Sequence, residues 1–570
     1  MNNSEIAAIL EELADCLELT GENPFRVNSY RKAARTLVGL SREAEQMSVE
    51  ELAELPGVGQ SMVAKIRALV TTGKLPQYEE MKAKIPSEVI QMLGVSGLGP
   101  KTVAMLQKEF AVKTFADLEA LLGSGKLESA PGMGEKKVAK IRHGLEIYRR
   151  GHERKLLGSV LPVAEAVAEA VRKIKGVERV DLAGSVRRMC PTIGDVDILA
   201  RASDGPTAIQ AFVRLPSVQE ILAQGDTKGA VRLADDLQVD LRIVETAGYG
   251  AALQYFTGSK AHGVHCREIA KSQGLTLNEY GVFRGQKRVA GKDEEEVYRA
   301  IGLSWVPPEM REDRGEVELA EAHKLPELLE PDQVRGDCHV HSSASDGTRT
   351  IEEMAEGCRK LGRQWMVLTD HSQSLKVAGG LSVSALRKQR REIDKLNEEL
   401  SGFTILAGTE VDILADGAID YPDDVLAELD WVVASIHTRL EDPRDTLTRR
   451  LVRAMENPHV DAIGHLTGRL IGSHDPMDLD LERIMEAAVR TGTALEINSQ
   501  PERLDVTDVT VQEAVKRGVK LCIGTDAHRL EQLGFMRLGV SVARRGWAGP
   551  EDVVNTRTAK QLLSWRAGKR

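Results

Sequence analysis

Two sets of side chains in this chain could do chemistry. The first is acidic. Asp195 and Asp197 stand two apart in Asp195-Val196-Asp197, followed by apolar Ile198 and Leu199. That alternation predicts a strand, and residues two apart on a strand face the same side. A third acid, Asp240, sits in another alternating run, Leu237-Gln238-Val239-Asp240-Leu241-Arg242-Ile243. Three carboxylates on neighbouring strands suit two Mg2+ or Mn2+ ions, which take a few carboxylates plus substrate phosphates. Two such ions can serve an attacking and a leaving oxygen together. Ahead of the acids, Gly184-Ser185 offers a close backbone approach and a hydroxyl to a phosphate, and Arg188 offers a cation.

The second set is rich in histidine. Of thirteen histidines, eight follow residue 330. Six of these lie beside acids or glycines at predicted strand ends: His339 and His341 in Asp337-Cys338-His339-Val340-His341, then His371, His437, His465 and His528. His-x-His on a strand aims two imidazoles at one ion. The acids Asp346, Glu410 and Asp526 add carboxylates, and the mixture favours two or three ions of Mn2+, Zn2+ or Fe2+. His459 and His474 read as loop residues outside the set.

Around the histidines, strand and helix patterns alternate about seven times, which predicts a parallel α/β barrel. Such barrels place ligands at the C-terminal ends of their strands. Residues 1–150 read differently. Helical spacing dominates, and one pattern occurs three times, at Gly57-Val58-Gly59, Gly97-Leu98-Gly99 and Gly132-Met133-Gly134, each opening a helix. Glycines let a ligand come close, and free N–H groups at a helix start attract an anion. The implied anion is a DNA phosphate, bound without reading bases.

Length and composition agree with several soluble domains. A chain of 570 residues is too long for one core. The net charge is -10. Residues 1–315 hold 43 basic and 43 acidic residues, and 316–570 hold 33 and 43, so the excess is confined to the second part. The first part therefore remains compatible with nucleic acid, and residues 101–150 carry ten basic against six acidic residues. Six scattered cysteines form no Cys-x-x-Cys, which suits a reducing cytoplasm. No signal peptide or membrane span is expected. A charged, proline-punctuated stretch up to Pro331 reads as a linker.

Gly-Ser followed by Asp-x-Asp resembles the nucleotidyltransferase superfamily, and the three Gly-x-Gly turns resemble helix-hairpin-helix motifs. Together with Tyr255-Phe256-Thr257-Gly258-Ser259 and Leu277-Asn278-Glu279-Tyr280-Gly281, they resemble a bacterial family X DNA polymerase, the family of DNA polymerase beta. The resemblance implies catalytic Asp195, Asp197 and Asp240, and a nucleotide site of Gly184, Ser185, Arg188, Gly194, Tyr255, Phe256, Gly258 and Arg267. The aromatic pair would pack on the sugar and Arg267 would face the template. Two positions depart from the family. Gln238 stands where a basic residue is usual, and Gly263 where an asparagine is usual. Lys65 matches a lysine that in some members cuts abasic sites through a Schiff base; a neighbouring lysine of the family is Ser61 here.

The histidine motifs resemble the PHP (polymerase and histidinol phosphatase) domain, a seven-stranded barrel with a trinuclear metal centre for phosphoester hydrolysis. Its ligands map onto His339, His341, Asp346, His371, Glu410, His437, His465, Asp526 and His528. Arg439 and Arg469 follow ligand histidines and could clamp a phosphate backbone. The fold expected is multidomain α+β and α/β: an N-terminal helical DNA-binding domain over 1–80, a helix-hairpin-helix subdomain over 81–150, a palm over 151–243, a nucleotide-binding subdomain over 244–315, the linker 316–334 and the PHP barrel over 335–570.

The function implied is short-gap filling in base excision repair, with a Mn2+-dependent 3′–5′ exonuclease and with abasic-site endonuclease or 3′-phosphatase activity in the barrel. Partners implied are gapped or primer-template DNA and deoxynucleoside triphosphates, handled by a monomer in the cytoplasm. The alternative is a DNA-end nuclease whose polymerase half only grips DNA. Gln238 and Gly263 favour it, and the intact acids oppose it.

Overall fold

The computed structural model describes the chain except residues 2, 39–43, 56, 96, 131–132, 153, 472–475 and 569–570. It falls into two compact units, Met1–Glu153 and Arg154–Arg570.

The first unit is helical and has two apolar cores. One gathers Ile6, Leu10, Leu13, Tyr30, Leu37, Val58, Ile66 and Leu69. The other gathers Val89, Leu98, Val103, Leu106, Leu118, Met133, Val138 and Ile141. Each described hairpin apolar residue (Val58, Leu98, Met133) points into a core, so the flanking glycines are left at the surface of the turn. Gly132 lies outside the described residues. Gly59 and Gly99 cap the helices Gln60–Thr72 and Pro100–Phe110 with no side chain on the first N–H groups. Gly134 precedes the helix Glu135–His152, and its carbonyl accepts from the Lys137 and Val138 N–H groups. Gly97 needs to be glycine: its φ is +95°, and a Cβ would lie 3.2 Å from Ile141 Cγ1.

The second unit opens with a five-stranded sheet: β1 (Val177–Leu182), β2 (Val196–Ala202), β3 (Val218–Gln224), β4 (Lys228–Leu233) and β5 (Gln238–Ile243), in the order β1-β2-β5-β4-β3. β2 and β5 are parallel, with Asp197 opposite Asp240. The helix Leu157–Arg172 packs Val160, Leu161, Ala164, Val167 and Val171 beneath this sheet. Next come the helices Tyr249–Thr257, Lys260–Ser272 and Glu294–Ala300 and a small antiparallel sheet over residues 276–290.

The third section is the barrel. Its strands are β6 (Gly336–Val340), β7 (Trp365–Leu368), β8 (Thr404–Asp412), β9 (Trp431–Ser435), β10 (Ala462–Ile463), β11 (Ala494–Asn498) and β12 (Leu521–Gly524), all parallel and in sequence order. Trp365-Met366-Val367-Leu368 is buried throughout, as befits a strand covered on both faces. One bridge, Val340 to Ala527, joins the two ends, so the barrel is nearly closed.

The stretch expected to be a linker is instead packed. Residues Glu316–Glu321 form a helix, and Val317, Ala320 and Leu328 join an apolar core with Val297 and Met310. Leu329 and Val334 join the core shared by the five-stranded sheet and the barrel. Its prolines and charges sit between apolar residues spaced to be buried, which composition alone conceals.

Candidate active sites

Asp195 precedes β2, Asp197 lies on it, and Asp240 faces them from β5. Gly184 opens the short helix Gly184–Arg187 at φ +60°, and a Cβ there would sit 2.6 Å from Asp197 Oδ2. Glycine is thus what lets this turn lie against the acids. We expect Gly184→Ala to push Asp197 aside and abolish nucleotide incorporation while phosphodiester hydrolysis by the barrel is retained. Two assays on one preparation check this, and incorporation at the wild-type rate would contradict it.

Burial, with Asp195 and Asp240 beside it, pushes the Asp197 carboxyl up to about 7. Asp240 is held on both oxygens. Gln238 Nε2 donates to Oδ1 at 2.9 Å, and Lys228 Nζ lies 2.8 Å from Oδ2. Lys228 is on β4, the strand paired antiparallel with β5. The cation missing at Gln238 is therefore supplied from the neighbouring strand. No motif marks Lys228; only the register of β4 against β5 reveals it.

The residues expected to form a nucleotide site make the following contacts. Arg188 Nε donates to Glu312 at 3.1 Å, and its Nη1 donates to the Thr257 carbonyl. Arg187 is committed elsewhere, to Glu294 through two bonds of 2.8 and 2.7 Å. Tyr255 and Phe256 meet edge-on at 5.1 Å. Arg267 lies over Tyr255 at 5.9 Å and Arg242 over Phe256 at 4.5 Å. Gly258 adopts φ +66°, with Arg188 Nη1 3.2 Å from where its Cβ would be. Gly194 abuts Arg154, and Ser185 is half-buried one residue past Gly184. Gly263 has open space where a Cβ would project. In the first unit, Lys65 Nζ donates to Ser61 Oγ at 2.8 Å and lies 5.4 Å over the Tyr30 ring.

The barrel brings all nine expected ligands to one end. Glu410, buried at the end of β8, is the hub. Its Oε2 lies 2.9 Å from His371 Nδ1, 3.4 Å from His339 Nε2 and 3.6 Å from His341 Nε2. Its Oε1 lies 3.2 Å from His437 Nε2 and 2.8 Å from His465 Nε2. Asp346 Oδ1 lies 3.3 Å from His528 Nε2 and 3.7 Å from His341 Nδ1, and its Oδ2 is 3.4 Å from His371 Nε2. Asp526 Oδ1 lies 3.2 Å from His341 Nε2 and 3.7 Å from His339 Nε2.

Three groupings have metal-holding geometry: His341, Asp346, His371 and His528; His339, His341 and Asp526; and His371, Glu410 and His437. The donors fit divalent ions. His339 Nε2 and His341 Nε2 face each other at 3.0 Å, and the buried His341 Nδ1 has no hydrogen-bond partner. A bound cation satisfies such nitrogens better than either finds in the protein.

Burial alone would lower the His371 and His437 imidazoles, but nearby carboxylates prevail. Glu410 and Asp346 raise His371 to about 10, and Glu410 and Asp412 raise His437 to about 9. Groups with raised folded pKa values stabilise below their unfolded pKa and lose that contribution as pH rises through the folded one. Asp197, His437 and His371 all act in this sense, over windows ending near 7, 9 and 10. In chelator, the denaturation midpoint is therefore expected to fall between pH 6 and 10, and saturating Mn2+ to flatten that fall. A chelated midpoint that rises with pH would contradict it.

Two carboxylates behind the ligands escaped the sequence reading. Glu496 Oε1 takes His339 Nδ1 at 2.7 Å, and its Oε2 accepts from the His465 N–H at 2.6 Å. Asp412 Oδ1 takes His437 Nδ1 at 2.6 Å. Each holds its ring by one nitrogen and leaves the other facing the cluster, as a support behind a metal ligand does. Glu496 is a lone acid in the apolar strand Ala494-Leu495-Glu496-Ile497-Asn498, an anomaly that could have flagged it. Glu496→Gln is expected to weaken metal affinity by about ten- to a hundredfold, read by Mn2+ titration; unchanged affinity would remove its role. Of the two arginines, Arg439 is exposed and pairs with Asp442. Arg469 is not free to clamp DNA, because it donates to the Arg503 and Leu504 carbonyls at 2.7 and 2.6 Å. His474 lies outside the described residues.

Comparison with known proteins places the chain in a family. The DNA polymerase beta thumb family matches residues 252–312 and the PHP domain family residues 337–500. A helix-hairpin-helix domain matches residues 1–75, and a SAM-like helix-hairpin-helix tandem residues 89–146. The DNA polymerase/3′-5′ exonuclease PolX of Bacillus subtilis (strain 168) is 39% identical over 568 residues, covering 99% of each chain. The chain belongs to the PolX family. Relatives of the barrel also stand alone. A probable phosphatase of Thermoanaerobacter sp. (strain X514) is 29% identical over 235 residues, 39% of this PolX chain and 91% of its own. One of Caldanaerobacter subterraneus is 31% identical over 203 residues, 34% of this PolX chain and 75% of its own. Among the described residues no helix is long and apolar enough to cross a membrane.

Proposed function

We propose that this chain is a DNA polymerase of family X that fills short gaps during base excision repair and trims 3′ ends with its PHP barrel. The observation that carries it is the coexistence of Asp195, Asp197 and Asp240 on paired strands with nine expected ligands at one end of the barrel, eight of them in the three metal-holding groupings and His465 beside Glu410, within a chain of the PolX family.

In the palm, Gly184 and Ser185 bring backbone and hydroxyl to the triphosphate of an incoming deoxynucleotide, and Arg188 meets its charge. Tyr255 and Phe256 present an aromatic wall to the sugar, where a 2′ hydroxyl would collide. Gly258 permits the turn that carries them, Gly194 leaves Asp195 accessible, and Arg267 extends this wall toward the template. Lys228 and Gln238 hold Asp240 in line with Asp197. In the barrel, Glu496 and Asp412 fix the rings of His339 and His437, and Glu410 fixes the spacing between groupings. Mg2+ or Mn2+ in the palm, and Mn2+, Zn2+ or Fe2+ in the barrel, would neutralise phosphate charge and lower the pKa of an attacking oxygen. Gly57, Gly59, Gly97, Gly99, Gly132 and Gly134 give the hairpins their backbone grip on DNA phosphates, weak singly and sensitive to salt. Lys65 is the candidate for abasic-site lyase chemistry. The substrate sets the workplace in the bacterial cytoplasm, and the chain acts as a monomer.

The test is a one-nucleotide-gapped duplex with Mn2+. With deoxynucleotides the primer is expected to lengthen by one residue, and without them to shorten. Extension equally good with ribonucleotides would count against the wall, and shortening in every condition against gap filling.

A further inference from the structure

Arg545 ends the helix Met536–Arg545, which belongs to the barrel, yet it reaches the polymerase site. Its side chain is almost fully buried. Nη1 donates to the Arg188 carbonyl at 2.7 Å and to Glu312 Oε1 at 3.0 Å, and Nη2 donates to Asp508 Oδ2 at 2.7 Å. Glu312 Oε1 is the same atom that receives Arg188 Nε. Asp508 Oδ2 is likewise shared with Arg314 Nη2, at 3.0 Å. Three guanidiniums thus share two carboxylates, and one positive charge is left over. Cys190, in contact with this group, adds no charge, since burial pushes its thiol up.

Arg188 gives the surplus an outlet beside the acids. Arg188 uses Nε on Glu312 and Nη1 on Thr257, and its Nη2 has no partner among the described residues. Arg314 and Arg545 both donate to Asp508; Arg545 is buried there and Arg314 is partly exposed. Were Arg188 alone with Glu312, the pair would be neutral and would attract a triphosphate weakly. With Arg545 taking half of that carboxylate, the guanidinium keeps its charge while remaining oriented.

We propose that Arg545, a residue of the hydrolytic barrel, is a positioning residue for nucleotide binding in the palm. By sharing Glu312 it leaves Arg188 both oriented and positively charged toward the triphosphate. This rests on the reading of Arg188 as a triphosphate contact. It makes the barrel part of the polymerase site and gives a physical reason for the two halves to be packed together.

The experiment compares wild type with Arg545→Met, Arg545→Lys, Arg545→Met/Glu312→Gln and Arg188→Ala in single-nucleotide gap filling, each as the full chain. Hydrolysis of bis(p-nitrophenyl) phosphate by the barrel reports folding. Arg545→Met is expected to raise KM for the deoxynucleotide about tenfold, the factor that ~1.4 kcal/mol carries, with kcat little changed. Arg545→Lys should stay near wild type. Arg545→Met/Glu312→Gln, which restores the surplus charge, should recover most of the loss. A rise in Arg545→Met that the added Glu312→Gln does not relieve would mean structural damage and overturn the inference, as would an unchanged KM. If Arg188→Ala leaves KM unchanged, the reading of Arg188 itself falls; if it raises KM while Arg545→Met does not, only the role of Arg545 falls.

Discussion

His341→Ala is expected to abolish 3′-end trimming while gap filling continues. His341 belongs to two of the three ligand groupings, with Nδ1 toward Asp346 and Nε2 toward Asp526 and Glu410. Losing it removes a ligand from each and leaves Asp526 facing one fewer imidazole. Even a group one step behind a metal ligand is worth about ten- to a hundredfold, so the loss of a shared ligand should exceed a hundredfold. Gap filling should persist, because Asp195, Asp197 and Asp240 lie on or beside a different sheet from His341. The ring is fully buried, so a folding control is needed. His341→Asn, nearer in shape, should show the same separation. Trimming within about tenfold of wild type would mean that the groupings do not carry hydrolysis.

Asp240→Ala is expected to give the mirror image. Asp240 faces Asp197 across paired parallel strands and anchors Lys228 and Gln238. Without it, Lys228 is left near Asp197 and Asp195, where it would compete with the ions. Incorporation should fall by at least about a thousandfold, a barrier increase of ~4 kcal/mol. Trimming should remain, since the barrel ligands are on other strands. Asp240→Asn keeps the shape and one acceptor oxygen but loses the charge and the second acceptor, so equal loss in both variants would assign the effect to the carboxylate rather than to the space it fills. Retained incorporation would leave the palm acids without a catalytic task.

The residues that could be read from sequence are those whose neighbours in space are also neighbours in the chain. His339 and His341, Asp195 and Asp197, and Gly184 and Ser185 announce themselves because one strand or turn fixes their relation. The barrel itself was legible because its parallel strands follow one another in order, all but Ala494–Asn498 ending in an expected ligand. What escaped depends on contacts between distant segments. Lys228 reaches Asp240 diagonally across a strand pair, and sequence does not print register. Glu496 meets His339 from 157 residues away. Arg545 meets Glu312 from 233 residues away. The stretch before Pro331 misled for a related reason: its charges and prolines are visible, but the core that receives Val317, Ala320 and Leu329 comes from elsewhere.

The central claim is two separate reactions on one DNA end, and one gel tests it. A 5′-labelled primer on a one-nucleotide-gapped duplex is incubated with Mn2+ and deoxynucleotides, with wild type, Asp240→Ala and His341→Ala side by side. The account predicts that wild type lengthens the primer, Asp240→Ala only shortens it and His341→Ala only lengthens it. If wild type shortens the primer whatever nucleotide is supplied, and Asp240→Ala behaves the same, the palm merely grips DNA and the two-site account is wrong.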